Sequence, residues 1–100
     1  MVKRSYAVVW SSPEGVDSGR LEPGADGFEL VGRGHPLSIG FPDLADVSIA
    51  RGNGERLRGL PVLVLRRLEG GEVRIASLEG AAVLHELMQH ASETGVTVAA

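Results

Sequence analysis

The feature that most limits this chain is a change of hydrophobic period near residue 77. Up to that point apolar residues come in short alternating runs cut by turn residues, and beyond it they fall at helical spacing. SYAVVW (5–10) is rich in β-branched and aromatic residues and is broken by SSPEG. VDSGRLE, GFELVGR, PLSIG and ADVSIARG follow, separated by PGADG, by GHP and by FPD. PVLVLRR has an uninterrupted apolar centre, which predicts burial on both faces or a central position. LEGGEVRIAS closes the series, and its Gly70-Gly71 pair predicts a two-residue type I′ hairpin turn, whose central residues both need positive φ. Seven strands are therefore expected over about residues 5–76, with one helix over about 78–93.

The helix is expected to start at Ser77 as N-cap, with Glu79 at the positive end of the dipole. Ala81, Leu84, Leu87, Met88 and Ala91 form one apolar stripe, and Gly95 marks the stop. A lone amphipathic helix of this kind reads as a lid.

HELMQH (85–90) looks like the zinc-protease motif H-E-x-x-H with one residue too many. Histidines four apart on a helix can share a metal, but a five-residue step turns them about 140° apart. His85 and His90 therefore read as boundary residues on the two flanks of the stripe, with no metal site. Other chemistry is equally thin. Ser11 and Ser12 lack the strand-to-helix elbow of a nucleophilic serine, and Gly52 and Gly54 lack the lysine and helix of a phosphate loop. Asp43 and Asp46 could form a carboxylate pair, but FPDLADV reads as a turn between strands, where Asp hydrogen-bonds its own backbone. No catalytic residue and no cofactor is expected; the chain is read as a non-enzyme.

With 100 residues, a single domain spanning 1–100 with one core is expected. The chain has no cysteine, which removes disulfides and thiolate metal sites from consideration. No apolar run reaches the length of a membrane span, and MVKRSYAVVW has no cleavage site, so a soluble, cytoplasmic protein is expected. A net charge of −3 argues against a nucleic-acid partner. The charge is uneven, however: residues 51–74 hold six arginines against three glutamates. That surplus leaves room for a local anion or acidic-peptide site.

Seven strands and a C-terminal helix are the element order of the pleckstrin-homology-like (PH-like) superfold. HPLSIGFPDLADVSI, through Ile39, Pro42, Asp43, Leu44, Val47 and Ile49, resembles the centre of bacterial PH-like and GRAM-like domains. The resemblance implies a mainly β fold, a barrel of seven antiparallel strands in two near-orthogonal sheets, with Leu84, Leu87 and Met88 plugging one open end. It departs from lipid-binding members, since only Arg20 matches their basic residues, and its helix lacks the tryptophan of eukaryotic members. What it implies is a binding module for a protein partner or for a second copy of itself. Related phosphotyrosine-binding domains add a peptide to the fifth strand, here Ala45 to Gly52, so Ser48, Arg51, Arg56 and Arg58 become the candidate binding residues. The alternative is weak phospholipid or anion binding by the arginine-containing loop 51–58.

Overall fold

The computed structural model describes residues 4–34, 36–52, 54 and 56–99. Seven strands occur in the expected order: β1 (Tyr6–Ser12), β2 (Gly15–Pro23), β3 (Gly27–Gly32), β4 (Leu37–Gly40), β5 (Leu44–Ala50), β6 (Val62–Arg67) and β7 (Glu72–Ser77). A 3₁₀ turn at Phe41–Asp43 joins β4 to β5, and helix α1 covers Ala82–Glu93. All strand pairings are antiparallel. They form one hydrogen-bonded sheet in the order β4-β3-β2-β1-β7-β6-β5.

Topology forces that sheet to curl. Laid flat, the outermost of seven strands would stand about 29 Å apart at the usual strand spacing of about 4.8 Å. Yet β4 and β5 are those outermost strands, and the chain passes from Gly40 to Leu44 in four Cα steps, at most about 15 Å. The two edges must approach each other, and the result is a half-barrel. The connecting turn is held from both sides: Phe41 N–H donates to the Asp26 carbonyl (2.8 Å), continuing the β3–β4 ladder, and Leu68 N–H to that of Asp43 (2.9 Å), continuing the β5–β6 ladder. Glycines let the strands bend: Gly19 faces Gly32 and Gly27 faces Gly40. A Cβ on Gly19 or Gly27 would overlap the carbonyl oxygen of Val31 or of Ile39.

Alternation sends Val8, Trp10, Leu63, Leu65 and Ile75 into the half-barrel, where Leu21, Phe28, Leu30, Ile39, Phe41 and Val47 meet them. Phe28 and Phe41 pack edge to face, 5.1 Å between centroids. Helix α1 plugs this interior with Val83, Leu84, Leu87 and Ala91, while Met88 packs half-buried beside them. The apolar centre of β6 is buried on both faces, as its composition predicts. Leu63 and Leu65 point inward, whereas Val62 and Val64 join Val9 and Ala76 in a second cluster on the outer face.

Two local expectations need correction. The helix begins at Ala82 because Gly80 takes a φ of 111°, which stops the helix from reaching back to Ser77. Ser77 Oγ accepts from Glu79 N–H (3.0 Å) in a tight turn, Glu79 reaches across to the Ala7 N–H, and Ala81 is exposed. The β6–β7 hairpin exists, but its turn is not centred on Gly70-Gly71. Gly70 N–H donates to the Arg67 carbonyl and Arg67 N–H to that of Gly71, both at 3.1 Å, which makes a three-residue loop with Gly70 as the bulge residue.

Candidate functional site

The sequence singled out the strand Ala45–Gly52 and the arginines after it. In the structure β5 is an outermost strand, and the chain's own C-terminal segment lies against it. Gly95, at φ 99°, donates its N–H to the Ser92 carbonyl, and Val96 N–H donates to that of Ala91, a Schellman reversal that turns the chain out of α1. Val96 is buried as the anchor. Residues 97–99 then run parallel to β5: Val47 N–H donates to the Thr97 carbonyl (2.9 Å), and Ala99 N–H to that of Val47 (2.8 Å). This paired segment was not read from the sequence. Its signal was the β-branched run Val96-Thr97-Val98 after the helix-stopping glycine.

That pairing fixes which backbone groups face outward. Val47 spends both its groups on the tail, so the antiparallel alternation turns those of its neighbour Ser48 toward Val64 on β6. The Ser48 N–H therefore does not face a guest strand. Its side chain lies on the outer face of the sheet in a shallow cleft with Asp46, Val64, Arg66 and Arg74. Arg66 pairs with Asp46, and Arg74 with Glu72 at 3.2 Å.

The other three candidate residues gather at the helix end of the half-barrel. Arg51 Nη2 donates to His85 Nε2 (3.0 Å), so this ring nitrogen acts as the acceptor. Arg56 braces the loop by donating to the Arg51 carbonyl (3.1 Å) and the Gly59 carbonyl (2.8 Å). Residues 57–60 form a tight hairpin in which Leu57 and Leu60 exchange two backbone bonds of 3.0 Å. Its tip is Arg58-Gly59, with φ of 52° and 77°, the requirement of a type I′ turn. Leu57 and Leu60 pack on the outer cluster of Val9, Val62, Val64 and Ala76. Arg58 is exposed and bonds no described residue. Asn53 and Glu55, within the same loop, lie outside the described residues, as does His35.

The helical histidines part company as their spacing demands. His85 faces Arg51, whereas His90 donates from Nε2 to the Gly24 carbonyl (2.6 Å) and sits beside Phe28 and Phe41, with centroids at 6.1 and 5.6 Å. Each ring closes one flank of the plug.

Two concave regions were not read from the sequence. An apolar groove of about 340 Å³ runs between the 57–60 hairpin and the start of α1, walled by Leu60, Pro61, Leu78, Ala81 and Leu84. At the opposite end of the half-barrel, a cleft of about 490 Å³ is lined by Trp10, Glu14, Val16, Asp17, Arg33 and Leu37. There the Gly34 N–H (3.1 Å) and the Ser18 N–H (2.7 Å) hold the Asp17 carboxyl below the usual aspartate range. The N–H and charge of Arg33 assist, and partial desolvation opposes. Gly32 makes room for this clamp, since a Cβ there would meet both Asp17 and Trp10.

No helix among the described residues is long and apolar enough to cross a membrane. No family model matches the chain, and no curated protein does. Among solved structures, the C-terminal domain of an unknown protein from Leishmania infantum is similar, with a TM-score of 0.70 at 12% identity. The match covers 92% of this chain and 84% of that one. At that identity the likeness concerns the fold.

Proposed function

We propose that this chain is a cytoplasmic, non-enzymatic interaction module of the PH-like kind, whose two sheet halves cross at a steep angle around the α1 plug. Its business is strand addition at the outer edge of β5, by a second copy of itself or by an extended segment of a protein partner. The observation that carries this reading is the tail: residues 97–99 already pair with that edge through two backbone bonds at Val47. An edge that accepts one extended segment offers the same outward groups to another. The edge carries no proline or lysine to deter pairing. By the same alternation, Ile49 directs its backbone outward beside Val47.

Binding of phospholipid or another anion through Arg51, Arg56 and Arg58 is the weaker reading. Two of those guanidinium groups are engaged with His85 and with backbone carbonyls, which leaves Arg58 alone to hold an anion.

The test compares the full chain with one ending at Val96, using light scattering after size exclusion and circular dichroism. Uncovering Val47 is expected to raise the dimer fraction of the shortened chain, and a serial dilution should reverse it. A shortened chain that stays folded and monomeric at every concentration removes the β5 edge as a self-association surface. Ser48→Pro is not a probe of this edge: it deletes a bond to β6 and is expected to destabilise the fold by about 1–3 kcal/mol.

A further inference from the structure

The way the tail lies along β5 fixes the chemistry of a guest on that edge. Val47 N–H donates to the Thr97 carbonyl, and the Ala99 N–H donates to that of Val47. One edge residue thus serves two tail positions two apart, the asymmetric pattern of parallel strands. The tail is held lightly. Its described bonds to β5 are both at Val47, Val96 is its one buried residue, and Val98 stands 41% exposed. Few buried contacts and exposed backbone bonds mark a segment that opens at low cost. The tail also leaves part of the edge unused, since no described tail residue bonds Ile49, the next residue whose backbone faces outward. Residues 95–99 carry no charge, and three of the five are β-branched.

Resting on the strand-addition reading above, we infer that residues 95–99 are a built-in competitor for the β5 edge. The guest they exclude is a parallel, uncharged, β-branched segment of a partner protein, which displaces the tail and bonds Ile49 as well as Val47. The tail is a sample of what fits: an apolar β-branched residue in the core site of Val96, then alternating residues along the edge. A second copy's β5 does not meet that description. Two-fold-related copies present the same edge to each other, which pairs β5 with β5 antiparallel, and that strand carries Asp46. A short tether gives the tail an effective concentration on the order of millimolar. The guest prevails through the bonds at Ile49 that the tail does not make, and its apparent affinity is reduced by the fraction of chains whose tail is closed.

The probe is a short alternating valine–threonine peptide, followed by amide chemical shifts of the labelled full chain, with the same peptide carrying aspartate for valine as control. Saturable shifts are expected at Val47 and Ile49 with the first peptide and none with the second. The Ala99 amide should exchange faster with solvent as the peptide binds, while that of Val47 stays protected. A paramagnetic tag at the peptide's N-terminus should broaden Leu44 and Ala45 more than Ala50, as parallel entry requires. Two full-length variants loosen the tail by separate routes. Ala99→Pro removes the N–H that the Val47 carbonyl accepts, and Gly95→Val places a β-branched residue at φ 99°. Each is expected to bind the peptide about tenfold tighter than the parent. If circular dichroism shows both variants unfolded, exchange at Ala99 in the parent decides: acceleration on adding peptide upholds the inference, and unchanged exchange overturns it. Equal affinity of parent and variants, or binding with Ala99 still protected, overturns the competitor role and leaves β5 as a strand acceptor. Dimerisation of the chain ending at Val96, with no peptide response in any chain, overturns the inference in favour of a second copy as guest. No peptide response together with a monomeric shortened chain overturns both this inference and the strand-addition reading.

Discussion

Asp17 shows how a single side chain can tie two loops of this fold together. It stands on β2, yet its carboxylate accepts from Gly34 and Arg33 in the β3–β4 connection as well as from Ser18 beside it. Its folded pKa lies below the ordinary value of 3.8, chiefly through the Gly34 N–H. The sign follows from linkage. A group whose pKa is depressed on folding stabilises the native state above its unfolded pKa, and that stabilisation disappears as pH falls through the folded value. Asp17 should therefore contribute fully from neutrality down to about pH 4 and lose its contribution below. In thermal melts as a function of pH, Asp17→Asn is expected to lower the melting temperature at neutral pH and to flatten the acid limb below pH 4. An unchanged acid limb would assign that limb to other carboxylates. Nothing in the string VDSGR distinguishes this aspartate from a solvated one; its partners are some sixteen residues away and arrive only when β3 pairs with β2.

At the scale of elements, α1 is the piece whose role follows most directly from its pattern. Leu84 and Leu87 are 1% exposed, and Leu87→Ala is expected to cost about 2–5 kcal/mol by removing buried volume from the plug. Glu86, on the outer side, accepts from the Tyr6 hydroxyl at 3.0 Å across the mouth of the half-barrel. Glu86→Ala should therefore cost no more than about 1 kcal/mol. Chemical denaturation of the two variants gives the comparison, and equal losses would contradict the plug. Periodicity identified the stripe but placed its start too early, because Ser77 and Glu79 resemble a helix cap in sequence while serving a turn in space. Val83 was overlooked as well: it lies in the first turn of α1, which packs against β5, β6 and β7, and is buried there.

For the whole molecule, the decisive property is the curl of one sheet until its first and last strands lie a 3₁₀ turn apart. Close backbone approaches at Gly19 and Gly27 permit it, and alanine at either position would need the facing strand to move. Gly19→Ala and Gly27→Ala should each destabilise by at least about 1–3 kcal/mol. Gly54→Ala, with nothing within 4 Å of the added carbon, should stay within about 0.5 kcal/mol of the parent chain. Equal stability of all three in thermal or denaturant melts would show that the sheet can bend without these glycines.

What the sequence determined by itself was local: seven strands, a terminal amphipathic helix, the doubly buried centre of β6, and the parting of His85 from His90. Each of these follows from period, turn residues and side-chain spacing, which act over fewer than about a dozen residues. The tertiary structure decided what depends on groups far apart in the chain. It laid residues 97–99 along β5, turned the Ser48 backbone to β6, engaged Arg51 and Arg56, and opened an apolar groove between the starts of β6 and α1. The physical reason is that an edge is open or covered, and a charge satisfied or spare, only through neighbours that the chain brings together when the sheet closes on its helix.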